Sequence, residues 1–233
     1  MINYHGKNVI VTGANGGMGI ILCKKLAEQG AKLSLCSNDE AGLKALAEEI
    51  GKVTEVFAKV VDITKEEEVE AFFSEAYEKN GEFAAMANLA GLSIPSKIPT
   101  TDVNVYETIM DVNVKGTFLA GKYFAKNAAK PAIIVNIGSM AARNANANAP
   151  LYCTAKAAVN MLSQGMLLQM GSQDIRVTTI NPGGADTPFW GTRTVDKSKL
   201  MQAEDVVDII FFVLTSNPSV QIHDIYFESS ARF

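Results

Sequence analysis

Residues 8–19 read Asn-Val-Ile-Val-Thr-Gly-Ala-Asn-Gly-Gly-Met-Gly, and this stretch decides the fold of the chain. Asn8–Thr12 is a short apolar run, which predicts a buried strand. The glycines form a turn, and the following run to Gln29 predicts a helix that ends at Gly30. A strand, a glycine turn and a helix N-terminus together present free backbone N–H groups and the positive end of a helix dipole. We therefore expect a phosphate to bind at this turn.

Strand and helix patterns alternate along the rest of the chain. The further predicted strands are Lys32–Cys36, Val56–Val61, Ala84–Gly91 (ending in a small-residue turn), Ala132–Ile137, Val177–Ile180 and Ile222–Phe227. The further predicted helices are Glu40–Ile50, Lys65–Glu78, Val103–Phe124, Tyr152–Met170 and Ala203–Leu214. Such alternation implies right-handed crossovers and a parallel sheet covered on both faces. We predict an α/β fold in which residues 1–233 form a single doubly wound, Rossmann-type domain of about seven strands.

Composition excludes several classes of function. The chain has 233 residues and a formal net charge of -4, and its basic residues are scattered, which argues against nucleic-acid binding. Its longest apolar runs are too short to span a bilayer, and its start lacks the pattern of a signal peptide. Three cysteines and two histidines at no metal-like spacing argue against a disulfide framework and against a metal site. We expect a reduced, cytoplasmic protein with no membrane partner.

The most suggestive chemical motif is Tyr152-Cys-Thr-Ala-Lys156. Residues four apart on a helix share a face, so Lys156 can lie near the Tyr152 phenol and lower its pKa. Lowering that pKa by roughly three units requires about 4 kcal/mol, a plausible load for one close cation plus a charged cofactor. Other polar or small residues follow successive strands, where a doubly wound sheet binds its ligands: Asp62, Asn88, Ser139 and the pair Pro182-Gly183.

With these motifs in order, the chain resembles the short-chain dehydrogenase/reductase family over essentially its whole length. Thr12-Gly13-x-x-x-Gly17-x-Gly19 matches the family's cofactor motif, and Asn88-Leu-Ala-Gly91 is similar to its Asn-Asn-Ala-Gly turn, with Leu89 in place of the second Asn. Asp62-Ile63 resembles the pair beside the adenine, and Thr187-Pro188 the segment that closes over the nicotinamide. The order and approximate spacing of the catalytic tetrad are matched by Asn113, Ser139, Tyr152 and Lys156.

The resemblance implies an NAD(P)-dependent oxidoreductase that interconverts a small alcohol and its carbonyl. Tyr152 is implied as the acid/base, Lys156 as its activator and a ligand of the nicotinamide ribose, Ser139 as a donor to the substrate oxygen, and Asn113 as the holder of a water. The implied cofactor-binding residues are Gly13, Asn15, Gly16, Gly17, Met18, Gly19, Ser37, Asn38, Asp62, Ile63, Asn88, Ala90, Gly91, Tyr152, Lys156, Pro182, Gly183 and Thr187.

Several alternatives stay open at this point. Asp62 is also a candidate cap for the helix near Lys65, Asn113 a helix residue that bonds only to nearby backbone, and Cys153 a small packed thiol. The short segment between Pro188 and Ala203 resembles relatives that act on small alcohols and carbonyls. The rival functions are a cofactor-sensing regulatory protein without turnover, and an epimerase or dehydratase of the same family.

The end of the second strand bears on the choice of cofactor. An acid at the first loop position selects NAD, whereas this chain has Ser37 there, followed by Asn38. The Ser37 hydroxyl can donate a hydrogen bond to a 2′-phosphate. No basic residue follows Ser37 and Asn38, and Gly16 stands where NADP-using relatives often carry a basic residue. A small shift of the loop would bring the Asp39 carboxylate to the ribose. We therefore expect NADP(H) to be preferred over NAD(H) by a modest margin.

The chain is also expected to form a homodimer or homotetramer. The helices that contain Asn113 and Tyr152 are apolar on more than one face, which is more than burial of one side against a sheet requires.

Overall fold

The structure is a computed structural model that describes residues 2–233. Its main sheet has seven parallel strands in the order β3-β2-β1-β4-β5-β6-β9. These strands are β1 (Asn8–Thr12), β2 (Lys32–Ser37), β3 (Val56–Val60), β4 (Phe83–Asn88), β5 (Ala128–Ile137), β6 (Ile175–Pro182) and β9 (Asp224–Phe227). Two short strands, β7 (Ala185–Asp186) and β8 (Met201–Gln202), pair separately. The predicted seven-stranded parallel sheet is confirmed.

The helices cover both faces of this sheet. They are α1 (Gly17–Glu28), α2 (Glu40–Ile50), α3 (Glu66–Asn80), α4 (Val103–Met110), α5 (Gly116–Lys126), α6 (Pro150–Met170) and α7 (Ala203–Leu214). One buried apolar cluster joins α1, α2 and α7 to one face, and a second joins α3, α5 and α6 to the other. The central strand β1 is fully buried between them, as its apolar sequence predicts.

The strand order reverses between β1 and β4, which places a crevice at the carboxyl ends of these strands. Thr12 and Asn88 are paired across it at the ends of β1 and β4. The ends of β2, β5 and β6 open on the same edge of the sheet, since all the strands are parallel. Every residue singled out after a strand is therefore carried to one side of the molecule.

Some element boundaries differ from the predicted ones. Helix α6 begins at Pro150 rather than Tyr152, because proline suits the first helical position, where an N–H is not needed. Strand β9 begins at Asp224 rather than Ile222, because side chains of Thr178 and Gln221 occupy the Ile222 carbonyl. Strand β5 begins earlier than predicted, at Ala128, where an exposed Lys and Pro interrupt the apolar run.

The helix predicted over Val103–Phe124 is continuous but not regular. Between α4 and α5, residues Asp111–Lys115 form a turn of π-helix. Such a turn inserts an extra residue into the helical ladder and is frequent at functional sites. Here it carries Asn113 into the interior, where the residue is fully buried.

No helix within residues 2–233 is long and apolar enough to cross a membrane. The same residues contain no group of three or more His, Cys, Asp or Glu side chains arranged to hold a metal ion.

Candidate active site

The glycine turn after β1 has the backbone that its sequence predicts. Gly13 has a φ of +62°, a left-handed conformation that favours glycine, and a Cβ there would lie 2.9 Å from the Ala90 N atom. Helix α1 follows with Gly16 as its N-cap, no side chain bonded to the first turn and no acidic residue within it. Gly19 packs against the Ala14 carbonyl, where a Cβ would overlap. The first N–H groups of α1 are thus left for an anion.

A segment from the far end of the chain closes on this turn. A Cβ at Gly17 would lie only 3.0 Å from both Pro188 Cδ and Thr187 Cβ. The segment leaves β6 at Pro182, and Gly183 N–H donates to the Phe227 carbonyl at 2.7 Å. The structure therefore brings the predicted covering residues against the predicted phosphate site, with Met18 lining the cavity beside them.

At the end of β2, three polar side chains bond one another. The Asn15 amide donates to Asp39 Oδ2 at 2.6 Å, and its oxygen accepts from the Ser37 hydroxyl. Asp39 also caps α2 by accepting from Gly42 N–H at 3.3 Å. Asn38 is exposed beside them. The side chains nearest the predicted adenosine end are thus organised by contacts within the protein.

Asp62 lies after β3 in a local turn of its own. Its carboxylate accepts from the Thr64 N–H at 3.0 Å and the Thr64 hydroxyl at 2.7 Å, and the bond from that hydroxyl lowers the Asp62 pKa. Helix α3 begins at Glu66, with no side-chain bond from its N-cap Lys65. The alternative in which Asp62 caps this helix is wrong. Its neighbour Ile63 is buried and packs against Gly116 of α5.

Asn88 belongs to a buried polar network across the sheet. Its oxygen accepts from the Thr12 hydroxyl at 2.6 Å, and its amide donates to Asn136 Oδ1 at 3.1 Å and to Thr117 Oγ1 at 3.2 Å. Asn136 in turn donates to Ser163 of α6 at 2.9 Å. The Asn88 side chain therefore holds β1, β4 and β5 together beneath the site, and only its backbone is left for the predicted cofactor contact. Ala90 and Gly91 follow it at the crevice.

Three of the four predicted catalytic residues lie together near the carboxyl end of β5. Tyr152 and Lys156 lie on α6, with the Lys156 Nζ atom 5.7 Å from the centre of the Tyr152 ring. Ser139 follows β5, and its side chain lies close enough to Tyr152 to lower the pKa of the phenol. Its Oγ accepts from Ala141 N–H at 3.1 Å, and its own N–H donates to Asn181 Oδ1 at 3.0 Å. Lys156 is 3 % exposed, and its Nζ donates to the Ile137 carbonyl at 2.9 Å.

Burial dominates the ionisation of this pair. It raises the pKa of Tyr152 to about 12, against the lowering effects of the nearby Ser139 hydroxyl and the Arg193 charge. Burial also lowers the pKa of Lys156 to about 7. The expected depression of the Tyr152 pKa is therefore not produced by the protein groups alone, because Lys156 itself is too poorly solvated to stay fully charged.

Asn113 approaches the same point from the π-helical turn. Its amide donates to the Leu92 and Ile109 carbonyls, both at 2.9 Å, so it bonds beyond its own helix. Its Oδ1 atom is buried and has no hydrogen-bond partner among residues 2–233. A Cβ at Gly91 would lie 3.0 Å from Asn113 Oδ1 and 3.2 Å from Lys156 Nζ. Gly91 thus lies against both atoms, and a side chain there would crowd the point at which Asn113 is expected to hold a water.

The side chains of Ser139, Tyr152 and Lys156 border a cavity of about 500 Å³. Sequence reasoning missed the wall opposite Tyr152, which Phe189, Trp190 and Arg193 form. The Phe189 ring centre lies 5.7 Å from that of Tyr152, and the Arg193 guanidinium lies over both Phe189 and Trp190. Cys153 also borders the cavity, with its thiol bonded to the Asn144 carbonyl. The run Phe-Trp-Gly-Thr-Arg after Pro188 was the available signal, since aromatic and basic residues in a covering segment often contact ligands.

Comparisons with known proteins show the family of this chain. The model of the family described as short chain dehydrogenase matches residues 7–198. An uncharacterized oxidoreductase of Staphylococcus saprophyticus is 32% identical over 234 residues, covering 97% of this chain and 98% of that protein.

Two solved structures share the fold at low sequence identity. A dehydrogenase/reductase from Sinorhizobium meliloti superposes with a TM-score of 0.90 at 23% identity, covering 98% of this chain and 96% of that one. An alcohol dehydrogenase from the archaeon Thermococcus sibiricus, complexed with 5-hydroxy-NADP, superposes with a TM-score of 0.88 at 22% identity, covering 97% of each chain. By family match, sequence identity and fold, this chain is an oxidoreductase that belongs to the short-chain dehydrogenase/reductase family, whose members use NAD(P).

Proposed function

We propose that the protein interconverts a small alcohol and its carbonyl compound, with Tyr152 as the acid/base. The observation that carries this proposal is the meeting of Tyr152, Ser139 and Lys156 on the lining of one cavity, with the Ser139 side chain close enough to the phenol to lower its pKa. A regulatory protein that only senses a cofactor has no need to hold a phenol, a hydroxyl and a buried amine at one point.

The residues present fit a nicotinamide dinucleotide. The uncapped first turn of α1 suits its diphosphate, and the absence of a Cβ at Gly17 keeps the turn close to Thr187. The adenosine end of the cofactor would lie beside Gly13, Asn15 and Ser37. Its nicotinamide end would lie in the cavity, beside Lys156, Pro182 and Gly183. When bound, this group supplies or accepts the hydride. The protein then needs to place the substrate and move one proton.

Tyr152 moves that proton. The phenol faces the cavity and gives its proton to the substrate oxygen in reduction, or takes it from the alcohol in oxidation. Ser139 lines the cavity close to the phenol, so its hydroxyl can hold the substrate oxygen and stabilise developing negative charge.

Lys156 and Asn113 restore the proton. The low pKa of Lys156, about 7, allows the amine to exchange protons near neutral pH. The Asn113 oxygen has no partner among residues 2–233, and it and the Lys156 amine both lie close to Gly91, which supports a water that links this amine to the outside. Because burial raises the Tyr152 pKa, its activation needs added positive charge, which a protonated Lys156 and an oxidised nicotinamide ring both provide.

We further propose that NADP(H) is preferred over NAD(H) by a modest margin. Asp39 is engaged by Asn15 and by the α2 cap, which limits its freedom to chelate a ribose. Ser37 offers a hydroxyl and no charge, and Asn38 is neutral, so discrimination in favour of a phosphate is weak. The solved structure of a fold relative with an NADP derivative is consistent with this choice.

Replacing Tyr152 with Phe tests the acid/base assignment. A panel of small ketones, aldehydes and alcohols is screened by nicotinamide absorbance with both cofactors. We expect Tyr152→Phe to lower kcat at least about 1,000-fold while the cofactor Kd stays within threefold, because the phenol oxygen acts on the substrate. A fully active variant would refute the role of Tyr152.

We also propose a homodimer or homotetramer formed through α4, α5 and α6. Large apolar side chains are exposed along these helices: Val103, Tyr106, Phe118, Met161 and Leu168, the last at 85%. Surfaces of this kind mark protein interfaces. Light scattering at micromolar concentration is expected to show a dimer or tetramer that Leu168→Glu dissociates, whereas a wild-type species of 25.0 kDa would contradict the proposal.

A further inference from the structure

The cavity wall carries an uncompensated positive charge at Arg193. Of the side chains that border the cavity, two are basic, Lys156 and Arg193, and none is acidic. Lys156 is buried behind the phenol, where the proposed proton transfer uses it. Arg193 makes no ion pair with any carboxylate in the part of the chain that the structure describes. A partly buried guanidinium without a counter-ion favours an anionic ligand.

The guanidinium is held in a fixed orientation. Its Nε–H donates to the Trp190 carbonyl at 2.8 Å, and Nη2–H donates to the Phe189 carbonyl. Nη1–H reaches the Ser93 hydroxyl only at 3.4 Å. These three bonds use three of the five N–H groups of an arginine, so two are left without a partner among residues 2–233. Stacking over the Phe189 and Trp190 rings, at 5.3 and 5.1 Å, fixes the plane.

The position of this charge relative to Tyr152 limits how far the anionic group of a ligand can lie from its reacting carbon. The Phe189 ring is a neighbour of both, with its centre 5.7 Å from that of the Tyr152 ring and 5.3 Å from the guanidinium carbon. Arg193 is close enough to lower the pKa of Tyr152 through its charge. A substrate whose reacting carbon lies at Tyr152 can thus reach Arg193 with a second group across a short apolar spacer.

Resting on the proposed carbonyl chemistry, we propose that the substrate carries a carboxylate, which Arg193 binds through its planar fork while Tyr152 acts on a carbonyl or hydroxyl a few bonds away. The substrate class is then a short oxo acid or the matching hydroxy acid. Arg193 determines specificity and takes no part in the proton transfer. The fork matches a carboxylate in two parallel hydrogen bonds, which a neutral ester cannot provide.

Paired substrates test this assignment in the full-length protein with NADPH. Acetoacetate and laevulinate are compared with their methyl esters, which keep the ketone and lose the charge. We expect kcat/KM to favour each acid over its ester at least tenfold for one chain length, mostly through KM. In Arg193→Gln this acid-to-ester ratio should fall at least tenfold, and Arg193→Lys should keep part of it.

Arg143→Gln is the matched control. Arg143 also lies over an aromatic ring, at 3.3 Å from the centre of Tyr226, but it does not border the cavity. The variant removes the same charge from the chain and should leave the acid-to-ester ratio within twofold of wild type.

Binding can be followed without turnover, because Trp190 is the single tryptophan of the chain and lies beneath Arg193. Laevulinate should change the tryptophan fluorescence in a saturable way, and Arg193→Gln should raise its Kd at least tenfold. If neutral ketones are reduced and acids gain nothing from Arg193, the carboxylate assignment fails and the proposed function stands. If laevulinate binding depends on Arg193 but no carbonyl is reduced, the anion site stands and the proposed function fails. A tenfold rise in the NADPH Kd with an unchanged ratio would assign Arg193 to the cofactor phosphates and overturn the proposal.

Discussion

Replacement of Lys156 with Met is expected to stabilise the protein while it abolishes turnover. Burial lowers the Lys156 pKa from 10.5 to about 7, and the reference pKa near 10.5 applies to the unfolded chain. At about 1.4 kcal/mol per pKa unit, the buried ammonium costs about 4 to 5 kcal/mol of folding free energy at low pH. The variant also leaves the Ile137 carbonyl without the Lys156 donor, which costs about 1 to 3 kcal/mol. The first effect is larger, so we expect a net gain of about 2 kcal/mol at pH 7, or about 4 to 8 °C in Tm.

The sign of the pH dependence separates this cause from others. The folded protein binds fewer protons than the unfolded chain between the two pKa values, so wild-type stability rises with pH through this window. The penalty is fully present below about pH 7 and is relieved toward pH 10.5. The advantage of Lys156→Met should therefore shrink by about 2 to 3 kcal/mol between pH 7 and pH 9 and be close to zero at the upper end.

Equilibrium urea denaturation at a fixed protein concentration and several pH values measures this difference. Lys44→Met is the control, because Lys44 is an exposed lysine on α2, and its difference from wild type should not vary with pH. If Lys156→Met is less stable than wild type at pH 7 and its difference is flat in pH, then Lys156 is solvated. The reasoning on proton exchange through it would then be wrong.

Two further variants probe the site. Gly91→Ala places a methyl group 3.0 Å from Asn113 Oδ1, where the linking water is expected. We expect kcat to fall at least tenfold while the cofactor Kd stays within threefold. The control is Gly165→Ala, whose Cβ meets no atom within 4 Å and which should leave kcat within twofold of wild type. An unchanged kcat in Gly91→Ala would argue against the water. Asp39→Ala removes the α2 cap and should cost about 1 kcal/mol in urea denaturation while raising the NADP-to-NAD ratio of kcat/KM, since a carboxylate that repels the 2′-phosphate is lost. An unchanged ratio would show that Asp39 does not act on the 2′-phosphate.

Much of the fold followed from local patterns. Helix α2 has the predicted bounds because Asp39 caps its start and an apolar face runs to Ile50. The glycine turn was predictable because its backbone needs, a positive φ and close approach, can be read from glycine positions. The parallel order of strands followed from their alternation with helices.

The features that the sequence did not predict depend on contacts between residues that are distant along the chain. Nothing in Asp-Val-Asn-Val-Lys, residues 111–115, marks the extra residue of a π-turn, which packing around Asn113 selects. The raised pKa of Tyr152 depends on how completely the fold buries it, whereas sequence showed only a lysine four residues away. Arg193 follows no periodic pattern, and its place on the cavity wall with Tyr152 emerges only from the folded chain.

The contact of Gly17 with Thr187 and Pro188 joins the first turn of the chain to its last third. During synthesis the glycine turn leaves the ribosome long before the segment that contains Thr187 and Pro188. Only half of the nucleotide site can therefore form until β6 has joined the sheet. Ligand binding is then linked to the closure of a long loop, so we expect a bound nucleotide to stabilise the strands β6 and β9 together with the glycine turn. We also expect partial unfolding around β6 and β9 to release the ligand, so that nucleotide affinity would report on the order of the carboxyl-terminal third of the protein.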